Sequence, residues 1–282
     1  MTIIETFDFE EIKGFKFGYK LFGKPKLYSH IYFIDGLMID TGHTKMASKI
    51  FNHVKDLPVK QVFITHHHED HSGNIARMQA HFDCPIYASN LCSEMMKSPP
   101  PISFAQKNSW GSRPAFKKII PQSGFLETEN YKFEIIPIPG HAVDMVALYE
   151  PNRKWLFSSD LYVNSYIAYF LENESTLEQI NSIKRILELD FDVMLCGHNP
   201  QFKNGKTKLK KKLLILEKFY DGVSNLYEKN YSAEQVFKEL KLKEIQFVKI
   251  LSNGYLSKMN MVRSVIRDIE NEKSKVKTNI IQ

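Results

Sequence analysis

The stretch VFITHHHEDHSG, residues 62–73, sets four histidines and two carboxylates directly behind an apolar run. Such a run reads as a buried strand. A buried strand that ends in six ionisable residues must end at an edge, where those side chains meet something other than apolar core. His66 and His68 are two positions apart, so both can leave the strand end on one side, and Asp70 and His71 follow at the turn into a helix. A turn of this kind aims two imidazoles at one point and a carboxylate with a third imidazole at a neighbouring one. That is the layout of a two-metal site; the cluster alone also admits a histidine-rich surface loop.

The rest of the chain supplies matching groups. FKFGYKLFG alternates as a strand, and SHIYFIDGLMIDTG reads as a hairpin turning at Asp35 and Gly36. KMASKIFNHVKDL has helical spacing, and GNIARMQAHF should be a helix capped near Ser72. Residues 93–118, with SPPPIS and WGSRP, read as a long irregular connection of the kind that forms lids or binding loops. Strands resume at YKFEIIPIPG, VALYEP and KWLFSSD, followed by a helix around TLEQINSIKRILEL and the strand DVMLCGH. Asp40, His141, Asp160 and His198 each close a β segment. Alternating strand and helix predicts an α/β domain over 1–204. Beyond it, Leu209, Leu213, Leu216, Tyr220, Val223 and Tyr227 are spaced as one face of a helix, Ser232 to Gln235 reads as a capping box, and Met259, Val262, Ile266 and Ile269 mark a last helix. Residues 205–282 are therefore expected to form a mainly helical appendage.

A chain of 282 residues can bury a full core, and 25% charged residues is an ordinary globular value. The net charge of +6 comes from residues 201–282, which hold 18 Lys and Arg against 9 Asp and Glu. That excess suits an anionic small-molecule substrate or, most simply, a wet surface. The start of the chain shows no signal-peptide pattern, and no window approaches about 18 uninterrupted apolar residues. Cys84, Cys92 and Cys196 cannot all pair and form no CxxC motif. A cytoplasmic protein with no membrane partner is expected.

In order, His66, His68, Asp70, His71, His141, Asp160 and His198 resemble the ligand series of the metallo-β-lactamase fold superfamily, whose HxHxDH motif is followed by a histidine, an aspartate and a histidine. The resemblance covers residues from about 14 to 204. It implies a four-layer αββα sandwich with metals at one edge between the sheets. It also implies that His66, His68 and His141 hold one metal, that Asp70, His71 and His198 hold the other, and that Asp160 bridges them. Asp40 matches an early aspartate that supports the ligand histidines. His30, His43, His53, His67 and His81 match nothing in the series and are taken as surface or packing residues.

Two divalent ions about 3.5 to 4 Å apart share a water, lower its pKa towards about 7 and leave a hydroxide nucleophile. Two Zn(2+) per chain suit these ligands best, and Fe or Mn are also accepted. The expected activity is hydrolysis of an ester-like bond, a thioester or lactone, in a small molecule, with Asp70 and Asp160 as catalytic carboxylates. Tyr162, ahead of Tyr166 and Tyr169, is the first choice for a hydroxyl that donates to an oxyanion. Secreted β-lactamases of the fold place a cysteine where Asp160 stands, and flavodiiron proteins a glutamate where His68 stands. Glyoxalase II enzymes share all seven ligands, yet their glutathione-anchoring motifs are not recognisable in GHNPQFKNGK. Alternatives are an RNase Z-like phosphodiesterase and a mononuclear iron persulfide dioxygenase. The tail lacks a basic and aromatic RNA platform, so nucleic acid is not expected as a partner. His198 would be idle in the dioxygenase. Exposed appendage helices suit a homodimer.

Overall fold

The structure, a computed structural model, describes residues 2–19 and 28–281, with side chains described up to residue 274. Its contacts divide the chain into two compact units. Met1–Ile138, Ala142–Val163 and Asp190–Lys206 form the first; Pro139–His141, Asn164–Leu189 and Thr207–Gln282 form the second.

Two sheets make the frame of the first unit. The larger runs in chain order: β1 (Thr2–Phe9), β2 (Ile12–Tyr19), β3 (Ser29–Ile34), β4 (Leu37–Ile39), β5 (Gln61–Ile64), β6 (Ile86–Ala88) and β7 (Ile119–Pro121). Strands β1 to β4 pair antiparallel, and β4 to β7 pair parallel. The hairpin turns at Asp35 and Gly36, whose φ of 47° and 80° suit a two-residue turn. Of FKFGYKLFG, β2 takes residues up to 19, and residues 20–23 lie outside the described residues. The second sheet holds β8 (Gly124–Glu127), β9 (Lys132–Pro137), β10 (Val146–Glu150), β11 (Trp155–Ser159) and, after a short β12 (Phe170–Leu171) of the second unit, β13 (Val193–Cys196).

Every other residue of these strands points between the sheets. Tyr32, Ile34, Ile39 and Phe63 of the first sheet meet Phe133, Leu148, Trp155, Phe157 and Leu195 of the second. On the opposite face of the larger sheet, Ile50 and Val54 of α1 (Ala47–Val54), then, beyond α2 (Glu69–Ser72), Ile75 and Met78 of α3 (Ile75–Phe82) and Cys92 and Met96 of α4 (Asn90–Lys97) cover Phe17, Ile31, Val62 and Ile86. Each such chain contributes about 2 kcal/mol when fully buried. The first unit is thus an α/β sandwich whose strand ends are held rigidly.

Two local expectations are corrected. Ser72 does not cap α3, which begins after Asn74; its hydroxyl donates instead to the carbonyls of His67 and His68, at 2.9 and 3.0 Å, and closes the single turn of α2. Residues 93–118 are not irregular throughout. The Ser89 hydroxyl accepts from Cys92 N and starts α4, and Ser103 with Gln106 forms a capping box that starts α5 (Phe104–Ser109).

The second unit contains α6 (Thr176–Leu187), α7 (Gly205–Tyr227), α8 (Ala233–Glu239), α9 (Gln246–Leu251), β14 (Leu256–Ser257) paired with β12, and α10 (Lys258–Ile281). Val223, Val236, Val262 and Val265 form its core, and the capping box at Ser232 and Gln235 is present. Within this unit α10 caps α6: Asp268 accepts from Leu177 N and the Ser264 hydroxyl from Thr176 N. Among the described residues no helix is long and apolar enough to cross a membrane.

Candidate metal centre

Strand ends of the two sheets deliver the site. Asp40 follows β4, Thr65 and His66 follow β5, Asp160 follows β11, and Gly197 and His198 follow β13. Backbone bonds lock these ends together: Asp40 N donates to Phe63 O, Val146 N to Thr65 O, Gly197 N to Ser159 O, and His30 N to Gly197 O, all between 2.8 and 3.0 Å. Asp40 and Ser159 both adopt the left-handed region, with φ of 63° and 46°. Two non-glycine residues held there at one site mark a backbone shaped for its side chains rather than for relaxed strands.

Asp70, His71, Asp160 and His198, all buried, offer one ligand atom each, and these atoms lie within 4.8 Å of one another. His198 Nε2 is 3.0 Å from Asp160 Oδ2 and 3.4 Å from Asp70 Oδ2; His71 Nε2 is 3.4 Å from Asp160 Oδ1. The far nitrogens are fixed from behind. His71 Nδ1 is 2.6 Å from Asp40 Oδ2, and His198 Nδ1 is 2.5 Å from the carbonyl oxygen of Tyr28. The Thr65 hydroxyl donates to Asp40, and the Ser159 hydroxyl donates to Thr65 and lies 3.1 Å from His66 Nδ1. His66 and His68 meet edge to face with ring centroids 4.6 Å apart.

Burial alone would make His71 and His198 less basic. The carboxylates, Asp160 foremost, outweigh it and raise His71 well above the ordinary histidine range and His198 to about 9. Burial would likewise raise Asp160, but the charges of His198 and His71 hold it well below the usual carboxylate range. Burying a carboxylate costs several kcal/mol unless positive charge meets it. A divalent cation held by these four groups would meet that demand in place of the protons. The donors fit such an ion: they are oxygen and imidazole nitrogen atoms, and the buried Nε2 of His71 makes no hydrogen bond among the described residues.

Comparison with known proteins agrees. Residues 25–198 match the family model described as the metallo-beta-lactamase superfamily. The chain belongs to the metallo-beta-lactamase superfamily. Among curated relatives, an uncharacterized protein of Aquifex aeolicus is 28% identical over 62% of this chain and 83% of its own length. A hydroxyacylglutathione hydrolase of Bdellovibrio bacteriovorus is 27% identical over 52% of each chain. The chain therefore spans about half the length of that hydrolase. Among solved structures, a metallo-beta-lactamase family protein of Thermus thermophilus aligns over 95% of this chain and 94% of its own, with a TM-score of 0.65 at 14% identity. At that identity the likeness concerns the fold.

For a metallo-beta-lactamase fold, the superfamily series is placed as follows. Asp70, His71, Asp160 and His198 are brought together within the first unit, with His66 and His68 beside them on the β5 loop. His141 follows β9 on the short stretch grouped with the second unit, where its Nδ1 is 3.5 Å from Glu174. Tyr162 is buried two residues past Asp160; Tyr166 is exposed and, like Tyr169, belongs to the second unit.

Sequence reasoning left several residues out. His67, taken as surface or packing, is buried: Asp144 accepts from its backbone N–H at 2.8 Å and its Nδ1 at 2.7 Å, which pins the loop between His66 and His68. His30 and His43 are buried, whereas His53 and His81 are exposed. Gly197 was hidden by its lack of a side chain: an added Cβ would meet Asp160 Oδ1 at 2.5 Å and His71 Cε1 at 2.6 Å. Asp144, Thr65 and Ser159 carry no spacing signal, and only the fold aligns them. Glu69, between His68 and Asp70, is buried against the Arg113 guanidinium at 3.5 Å, and burial with the charge of Asp70 pushes it up to about 7.

Proposed function

We propose that this chain is a dinuclear metal-dependent hydrolase that cleaves an ester-like bond, a thioester or lactone, in a small molecule. The observation that carries the reading is the buried convergence of Asp70, His71, Asp160 and His198. Asp70, His71 and His198 hold one cation, His66, His68 and His141 the other, and Asp160 is shared. Oxygen and imidazole donors suit zinc, with iron and manganese as the other candidates. Bound divalent cations supply Lewis acidity, which activates water and polarises the oxygen of the bond to be cleaved.

The chain's own groups do the rest. Asp40 and the Tyr28 carbonyl orient His71 and His198, so that each presents Nε2 to the centre. Asp70 accepts the proton of the attacking water at its carboxylate, and Asp160 supplies the carboxylate common to both sets of donors. The hydroxyl of Tyr162 donates to the developing oxyanion. A mononuclear dioxygenase would leave His198 idle, which favours the dinuclear reading.

The name of the Bdellovibrio relative favours a thioester, although the shared half of its length does not bring over its substrate. Cys84, Cys92 and Cys196 are buried thiols rather than disulfides, which is compatible with a reducing cytoplasm. The test is elemental analysis of protein purified without added metal, paired with turnover of a small thioester, a lactone and a bis-phosphodiester. About two zinc ions per chain with carbonyl-ester turnover supports the reading. A single iron without hydrolysis overturns it, and phosphodiester turnover alone turns it towards a nuclease.

A further inference from the structure

Chain geometry spends unusual care on Trp110. Its N–H donates to Gln106 O at 2.7 Å and closes α5, and its carbonyl accepts from Lys45 N at 3.1 Å. Gly111 follows with φ of 98°, and a Cβ there would lie 2.1 Å from the Thr44 hydroxyl. Ser112 N then donates to that same hydroxyl at 2.7 Å, and Arg113 reaches Glu69, the neighbour of Asp70. The segment is clamped on both sides of a single aromatic side chain.

Core packing does not explain the clamp. Trp155, the only other tryptophan, is fully buried between the sheets, whereas Trp110 is half-buried and is not among the described residues of either cluster given above for the larger sheet's two faces. Its indole instead lies on His198, with ring centroids 6.0 Å apart and planes inclined by 25°. The ring of His43 meets it at 5.0 Å, edge to face. His43 is fully buried, and burial lowers it to about 4, so it presents an uncharged ring at neutral pH. A half-buried indole therefore adjoins a residue assigned to the metal centre.

We propose that Trp110 is the specificity wall of the centre, stacking against a planar apolar group, an aryl or conjugated acyl moiety, next to the carbonyl whose ester-like bond is cleaved. The proposal rests on the hydrolase reading for the identity of that carbonyl. Offset stacking on an indole adds to simple area burial, so the wall discriminates flat acyl groups from small aliphatic ones.

The experiment titrates the metal-loaded protein with two product-like carboxylates, acetate and phenylacetate, by calorimetry and by tryptophan emission. Phenylacetate is expected to bind about ten-fold tighter than acetate and to quench emission. In Trp110→Leu the preference should fall to about two-fold or less, with metal content unchanged and the remaining Trp155 emission unresponsive. Trp110→Phe, which keeps a flat ring, should retain most of the preference. An undiminished preference in Trp110→Leu overturns the proposal, as does equal or absent binding of phenylacetate by the wild type. Thioester turnover is measured on the same preparations: its absence alongside a Trp110-dependent preference sinks the hydrolase reading and leaves the wall standing.

Discussion

Asp40 Oδ2 sits 2.6 Å from His71 Nδ1, and this contact determines which nitrogen of His71 faces the centre. With Nδ1–H donating to the carboxylate, Nε2 is left to point at Asp160 and Asp70. The carboxylate is held in turn by the backbone N–H and hydroxyl of Thr65. Asp40→Asn keeps the volume and removes the charge. It should weaken metal binding by about 10- to 100-fold in a chelator competition; an unchanged affinity would show that the contact is only packing.

Asp160 carries the charge shared by the two histidines of the cluster. Asp160→Ala should lower metal content and cut turnover by about a hundred-fold or more, without unfolding the chain, because the loss is at the strand ends rather than in the apolar core between the sheets. Metal analysis and a thermal melt check both halves. Wild-type turnover in the variant would refute a two-metal centre.

Gly197 tests the packing of the ligands rather than their chemistry. Gly197→Ala forces a methyl group against Asp160 and His71 and should destabilise the fold by about 1 to 3 kcal/mol while lowering metal content. Gly222→Ala, within α7, meets only the Leu240 side chain at 3.4 Å and should be neutral or stabilise by up to about 1 kcal/mol. Urea unfolding of the two variants would expose the error if they behaved alike.

His43 makes stability depend on acid. Its folded pKa of about 4 lies below the ordinary 6.5, so the unfolded chain binds the extra proton first as pH falls. Its contribution is full above pH 6.5 and is lost down to about pH 4, reaching at most about 3 kcal/mol. His30, lowered to about 4 by burial, adds in the same direction. With chelator present, the unfolding free energy of His43→Leu should fall by about 1 to 2 kcal/mol less between pH 7.5 and 5 than that of the wild type. Parallel curves would discard the assignment.

The basic run that opens α7 is not uniform. Lys208, Lys210 and Lys211 are exposed and Lys212 is buried, so only the first three can act on an approaching anion. Changing those three to Gln should lower kcat/KM for an anionic thioester by about two- to five-fold, in a salt-dependent manner, and leave a neutral ester unchanged. Equal losses on both substrates would remove steering as the cause.

Much of the donor cluster was legible along the chain because its members follow apolar runs, and a strand must end where its backbone leaves the core. The order from His66 to His198 needed no coordinates, and neither did the α/β class, the hairpin at Asp35 and Gly36 or the capping box at Ser232. The helices inside 90–109 were missed because proline and serine dominate that stretch, and two serine caps outweighed its turn-forming composition. Asp40 was placed by analogy, but its partner had to come from the structure.

Local chemistry along the sequence therefore determined which residues end the strands and which of them can bind a cation. Tertiary structure alone decided what stands behind those residues: Asp144 on His67, Ser159 on Thr65, the Tyr28 carbonyl on His198, and Trp110 across the face of His198. These pairs lie far apart in the chain and share no period. They meet because two sheets pack face to face through a core that fixes every strand end at once, and no local pattern encodes that packing.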